Sequence, residues 1–380
     1  MHVTPNTVPE TAPGGINHTA RDAPSGTTPG TSSGTMSGTA AASFRAEPGT
    51  GAGTGHAADA LSHEARPLPA GQPINPEAVI SVRGLRKSFG RKEILHGLDF
   101  DIPANSICGL LGRNGAGKTT ALSILSGQDR ASNGEVSVMG RQPFEDIETA
   151  SHLCFARENQ KYPESFKAGH VLKSAPWFFE SWDQSFAERL VRMFRLPVET
   201  KIQKLSRGQL SSVAIVVGLA SRAPLTFFDE PYLGLDATAR QLFYDVMLQD
   251  YLEHPRTIIM STHLIDEAAD LLEKVLVIDD GRILMDADAD SARSAAFSLS
   301  GPAAAVGQLT EGRSILHSRR IGGLSSVTLA GQPDAGLAAA AAEQHLEIGP
   351  VGLQDLVAAI GSRPTDTVGE PATESPKESR

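Results

Sequence analysis

"SICGLLGRNGAGKTTALSILSG", residues 106–127, passes from an apolar run into a glycine-rich turn and then into a helix-forming stretch. The apolar run ends at Gly112, and KTTALSILSG reads as a helix closed by Gly127. Between them Gly112, Gly117, Lys118 and Thr119 stand at the fixed places of a P-loop. Glycine lets the backbone curl so that successive N–H groups converge on phosphate oxygens. The helix that follows adds the partial positive charge of its N-terminus. The candidate phosphate cradle therefore comprises Gly112, Arg113, Asn114, Gly115, Ala116, Gly117, Lys118, Thr119 and Thr120. Lys118 is placed to pair with the β- and γ-phosphates, and Thr119 to offer its hydroxyl to Mg2+.

Downstream, LTFFDE (residues 225–230) reads as a short buried strand with Asp229 at its C-terminal end, where α/β sheets place their ligands. Asp229 is suited to hold Mg2+ through water, and Glu230 to polarise an attacking water. Alone, an apolar strand ending in Asp-Glu is more often an ordinary strand end. Behind a P-loop it points to nucleotide hydrolysis.

KLSRGQLSSV (residues 204–213) carries no carboxylate and no histidine. Ser206 is a natural helix N-cap, and Gly208 leaves the backbone bare inside the first turn. The helix behind it, LSSVAIVVGLA, is apolar nearly all round and reads as a buried rod. Serine hydroxyl, N–H groups and helix dipole make a second anion cradle, without a cation or a base of its own. One subunit has no evident need of two cradles, so this one is expected to close on the nucleotide of another subunit. A merely capped helix start is the plainer reading of these residues taken alone.

Residues 1–76 contain a single aromatic, Phe44, among Gly, Thr, Ala, Pro and Ser, and are expected to be disordered, as is the tail 362–380. No apolar core follows a basic start, so the N-terminus does not read as a secretory signal. No run approaches the length of a transmembrane helix. A net charge of −10 argues against extended nucleic-acid binding. The basic cluster Arg83, Arg86, Lys87, Arg91 and Lys92 reads as a solvated edge or loop. Cys108 and Cys154 lie in apolar runs and read as buried free thiols of a reducing compartment.

Strands alternating with helices through the middle of the chain imply a parallel sheet flanked by helices, with antiparallel strands appended. Beyond residue 290 the pattern predicts a small α+β appendage over 291–361. It contains a hairpin about Gly322-Gly323, then helix, strand and helix.

The order P-loop, LSRGQ, FFDE, GLD and a later isolated histidine resembles the ATP-binding subunit of ABC transporters, over about residues 77–290. The resemblance implies an α/β P-loop fold with an antiparallel β subdomain and a helical subdomain over about 160–222. It also implies an ATP-hydrolysing subunit that takes ATP and Mg2+ and dimerises around two nucleotides, each between one P-loop and the opposite LSRGQ. Ser206, Gly208, Gln209 and Asp236 would then act across the dimer, with Gly234, Leu235 and Asp236 forming the loop at its interface. His263 matches the histidine that contacts the γ-phosphate, and with Glu230 and Lys118 completes the catalytic set. Phe89 matches the aromatic that stacks on adenine. A separate polytopic permease and a second ATP-binding subunit, in a homodimer or heterodimer, are implied as partners, with no nucleic acid. The chain is placed in the cytoplasm, peripheral to the inner face of the membrane. Its appendage is similar to those of bacterial exporters of drug- or antibiotic-like compounds.

The match is incomplete in two places. Arg207 replaces the second glycine of the signature, and the segment LCFARENQKYPESF offers either Glu158 or Gln160 as the transmission residue and metal-side ligand. The aromatics Trp177, Phe178, Phe179 and Trp182 lie in the helical subdomain, where this spacing is more often core than docking surface. A soluble ABC ATPase acting on ribosomes, DNA or an assembly is the alternative; the single nucleotide unit and the acidic balance weigh against it. A P-loop kinase or GTPase would leave LSRGQ and His263 unexplained.

Overall fold

The computed structural model describes residues 74–158 and 160–361. Apart from residues 74–76, the segments expected to be disordered lie outside this range. The chain opens with β1 (Ile80–Phe89), β2 (Lys92–Ile102) and β3 (Ile107–Leu111), followed by α1 (Lys118–Leu125) and β4 (Asn133–Val138). Strands β2, β1 and β4 pair antiparallel in that order. Next come β5 (Leu153–Arg157), α2 (Ala168–Ser174), α3 (Gln184–Met193), α4 (Arg207–Ala220), β6 (Leu225–Asp229), α5 (Ala237–Glu253) and β7 (Thr257–Thr262). The hairpin β8 (Lys274–Asp279) and β9 (Arg282–Asp288) completes a six-stranded sheet of order β5-β6-β7-β3-β8-β9. All its pairings are parallel except β8 with β9.

Strand β3 shows why its sequence is apolar without alternation. Ile107 and Leu111 pack into one core cluster, while Cys108 and Leu110 pack into the other. A parallel strand covered on both faces needs apolar residues at both parities. The same division holds in β6, where Phe228 joins the helix-side core and Phe227 the core beneath the antiparallel sheet. Phe228 meets Phe243 of α5 edge-on at 5.3 Å. Each such fully buried ring is worth about 1.5–3 kcal/mol of transfer free energy. Packing on both faces fixes the C-terminal ends of β3, β6 and β7, from which Gly112, Asp229 and Thr262 emerge or end.

The two cysteines are buried and free, and burial pushes both thiols up to about 12. Of the basic cluster, Arg86, Arg91 and Lys92 are exposed as expected, whereas Arg83 and Lys87 are not. Arg83 is buried and donates to Asp101 at 2.8 Å, and Lys87 is buried and donates to Asp129 at 2.6 Å. As the middle strand of its sheet, β1 brings these cations beside acidic residues distant in sequence, and pairing makes their burial tolerable.

The last part of the chain forms β10 (Ala296–Pro302), α6 (Ala303–Thr310), β11 (Ile315–Ile321), β12 (Leu324–Ala330), α7 (Ala335–Glu343), β13 (Glu347–Pro350) and α8 (Leu353–Gly361). Its sheet runs β11-β12-β10-β13 and is antiparallel throughout. Up to β13 this is the βαββαβ order of a ferredoxin-like unit, with the turn at Gly322-Gly323 where the sequence places it. Phe297, Leu299, Val306, Val327, Leu329 and Leu337 fill its core. Helix α8 instead sends Leu353, Leu356 and Val357 into the helix-side core of the six-stranded sheet.

Candidate nucleotide site

The P-loop leaves β3 at Gly112 and enters α1 at Lys118. Gly112 has φ 151°, and a Cβ there would stand 2.1 Å from the carbonyl oxygen of Ile278, so no larger residue fits. Helix α1 starts from Gly117, at φ 108°, without any side-chain cap. Its first N–H groups are therefore open to an anion. Arg113, Asn114, Gly115 and Thr119 are exposed, and Thr120 is half-buried. Lys118 is buried and folds back on the loop, donating to the carbonyl oxygens of Gly112 (2.8 Å) and Arg113 (3.2 Å).

Lys118 also lies 3.3 Å from Oε1 of Glu230. Glu230 has φ 49°, a left-handed conformation that costs a residue with a Cβ about 1–3 kcal/mol and marks a constrained position. Its N–H donates to Ser261 Oγ at 3.1 Å, and the Ser261 hydroxyl donates to Asp229 Oδ1 at 2.6 Å. Ser261 thus holds the two acidic residues at the end of β6 in fixed relation. Oε2 of Glu230 lies 2.5 Å from Nδ1 of His263 and accepts from the Tyr232 hydroxyl at 3.1 Å. The structure therefore brings Lys118, Asp229, Glu230 and His263 into one network. Ser261 and Tyr232 also belong to it, and sequence reading had not singled them out. The usable signal was that a tyrosine in an apolar-flanked loop needs a partner for its hydroxyl once buried.

Glu158 and Gln160 are separated by position. Strand β5 ends at Arg157, and Glu158, directly after it, donates its N–H to the Asp229 carbonyl at 3.2 Å. Gln160 lies two residues on, and its N–H turns back to the carbonyl of Arg157 at 3.3 Å. The Glu158 carboxylate forms an ion pair with Arg207, the first residue of α4. Two side chains 49 residues apart in the sequence thus meet, with opposite charges.

At the start of α4, Ser206 Oγ accepts from the Gln209 N–H at 3.2 Å, while Gln209 Oε1 accepts from the Ser206 N–H at 3.0 Å. This is a capping box closed within one chain. Gly208 has a packing reason as well: a Cβ there would stand 2.4 Å from the Gly234 carbonyl oxygen. Asp236 caps α5, accepting from the Ala239 N–H at 2.8 Å. Phe89 is 53% exposed, with the Lys87 ammonium 4.7 Å from its ring centroid. Of the aromatics read as core, Trp177 and Phe178 are 82% and 69% exposed. Trp182 is half-buried and packs on the helix-side core. The short 3₁₀ turn Ala175–Trp177 includes Pro176 and carries Trp177 and Phe178 away from the interior.

Residues 95–233 match the family described as ABC transporter. The aliphatic sulfonates import ATP-binding protein SsuB of Corynebacterium glutamicum is 31% identical over 211 residues, covering 53% of this chain and 81% of that protein. The chain belongs to the ABC transporter ATP-binding family. As such it is an ATPase that uses ATP with Mg2+. The SsuB protein of Rhodopseudomonas palustris is 32% identical over 234 residues, 60% of this chain and 81% of that one. The Nod factor export ATP-binding protein I of Ralstonia nicotianae is 30% identical over 224 residues, 56% of this chain and 68% of that one. A solved ATP-binding subunit of an ABC transporter shares the fold, with a TM-score of 0.51 and 24% identity over 57% of this chain and 92% of its own.

Proposed function

We propose that this ATPase works as one of two subunits, identical or not, that close around two Mg-ATP and drive a separate polytopic permease from the cytoplasmic face of the membrane. The observation that carries the composite site is the asymmetry between the two helix starts. Lysine, carboxylates and histidine gather at α1, whereas Ser206 and Gln209 at α4 bond to each other and to none of these groups among the described contacts. In this reading residues 112–120 wrap the phosphates of one nucleotide, with Lys118 exchanging its loop carbonyls for phosphate oxygens. Ser206, Gly208, Gln209 and Asp236 complete that site from the opposite subunit. Glu230 polarises the water, His263 contacts the γ-phosphate and Phe89 stacks on adenine.

Thr119 and Asp229 offer the hard oxygens that Mg2+ takes one or two at a time, the rest of its shell coming from water and phosphate. Bound there, the ion would neutralise charge on the β- and γ-phosphates. Of the two candidates for the transmission position, Glu158 fits better than Gln160, because it directly follows β5 and is tied to the Asp229 backbone.

Exposed Trp177 and Phe178 suit docking to the permease, since paired large apolar side chains in water mark interaction surfaces. As to direction, the sequence suggested an exporter of drug-like compounds. The Nod factor export protein supports export, and the sulfonate import proteins support import. Among these relatives the importers are the more numerous, so import of a small anionic compound is the reading to test first.

Tagged Glu230→Gln protein, loaded with ATP and pulled down from native membranes, tests the proposal. It is expected to bring down a polytopic membrane protein in near-stoichiometric yield, and that permease names the cargo to assay. Recovery of ribosomal or DNA-repair components without a membrane protein would replace the proposal with a soluble ABC ATPase.

A further inference from the structure

Glu230 is held on three sides, but two of its partners have other duties. Oε1 faces Lys118 at 3.3 Å and Oε2 faces His263 at 2.5 Å. In the proposed function both Lys118 and His263 turn to phosphate when ATP is bound. The third partner is the Tyr232 hydroxyl, 3.1 Å from Oε2.

Tyr232 is 1% exposed and cannot reach nucleotide. Its hydroxyl accepts the backbone N–H of His263 at 3.1 Å and lies 2.8 Å from Thr262 Oγ1. Thr262 Oγ1 itself accepts the Leu264 N–H at 2.9 Å. His263 Nδ1 also lies 3.2 Å from the hydroxyl; with its ring proton on Glu230 Oε2, the protons can be placed without conflict: Leu264 N–H to Thr262, Thr262 O–H to Tyr232, and Tyr232 O–H to the Glu230 carboxylate. Burial pushes the phenol further up from its ordinary range, so the hydroxyl keeps the proton it donates.

We infer that Tyr232 is a positioning residue for hydrolysis. Anchored by the His263 N–H and by Thr262, its hydroxyl holds the Glu230 carboxylate in place when Lys118 and the His263 imidazole are drawn to the nucleotide. This rests on Glu230 being the water-polarising group. The phenol touches neither water nor phosphate; it fixes one carboxylate oxygen so that the other faces the attacking water.

Tyr232→Phe keeps the buried ring and removes only the hydroxyl. Losing a hydrogen bond to a charged group is expected to lower kcat roughly 10- to 100-fold, with KM for ATP within about twofold of wild type, because nucleotide contacts are untouched. In single-turnover assays, adding Tyr232→Phe to Glu230→Gln should cause no further loss, since the hydroxyl acts through the carboxylate. An unchanged kcat, a KM that rises in step with falling kcat, or an equal further loss in the Glu230→Gln background would each overturn the inference. If Glu230→Gln itself hydrolyses ATP normally, the reading of Glu230 fails first. If that variant is inactive and Tyr232→Phe is fully active, only the role of Tyr232 fails.

Discussion

The starts of α1 and α4 are both helix N-termini with glycine beside them, yet they are finished in opposite ways. Helix α1 has no side-chain cap and a buried lysine at its first position, with Glu230 and, through it, His263 alongside. Helix α4 satisfies its own first turn through the reciprocal Ser206–Gln209 bonds. The first offers uncapped N–H groups beside a buried cation; the second closes its own cap and carries the exposed Arg207, paired with Glu158, at its first position. A capped serine still has a hydroxyl proton to give, so α4 can donate to a phosphate without dismantling its cap. In the proposed function, what it lacks comes from another subunit. In that reading a helix dipole alone does not define a nucleotide site; the side chains assembled around it do.

The comparison breaks most directly at Glu230. Glu230→Gln should lower ATP turnover about 10²- to 10⁴-fold, the usual worth of a positioned general base, while equilibrium ATP binding persists. Near-normal turnover would strip the α1 site of its base.

Gly208→Ala sharpens the other side. The new methyl would press on the Gly234 carbonyl, because a Cβ there stands 2.4 Å from it. The expected cost is about 1–3 kcal/mol of overpacking, read by denaturant unfolding. A neutral result would mean that Gly208 is there for the nucleotide alone.

Phe89→Ala should raise KM for ATP roughly two- to twelvefold and leave kcat near wild type, since stacking is worth about 0.5–1.5 kcal/mol beyond burial. Arg207→Gly removes the ion pair with Glu158. Arg207 is 66% exposed but the Glu158 side chain it leaves unpaired only 12%, so the loss in stability should be about 1 kcal/mol by thermal unfolding.

Smallest of all is the response of the thiols. Cys108 and Cys154 should resist alkylation in the native protein at pH 8. Their folded pKa values stand near 12 against an ordinary 9.0. Stability from keeping them neutral is therefore complete below pH 9 and declines as the pH rises from 9 toward 12.

Much of the two helix starts was legible in the sequence because their parts are local. A P-loop, a strand ending in Asp-Glu and a serine cap each declare themselves within ten residues or so. The hairpin at Gly322-Gly323 was legible for the same reason. The Tyr232 contact was not, because it depends on β6 and β7 lying side by side, which joins residue 232 to residues 262 and 263. The Arg207–Glu158 pair spans 49 residues and was equally hidden. Arg83 and Lys87 looked like solvated charges until β1 took the middle of its sheet and brought Asp101 and Asp129 to them. Trp177 and Phe178 looked like core because composition cannot report which way a short turn faces. The ferredoxin-like order of the C-terminal sheet is a property of strand adjacency and leaves no local mark.

The two-subunit site is tested most directly by ATP-dependent dimerisation. Sedimentation of Glu230→Gln should show a dimer with ATP and a monomer without it. The double variant Glu230→Gln, Ser206→Arg should stay monomeric while binding ATP with unchanged affinity, because the arginine blocks only the face offered to the other subunit. A double variant that dimerises as readily, or that loses ATP affinity as a monomer, would show that Ser206 does not serve the nucleotide of a second subunit.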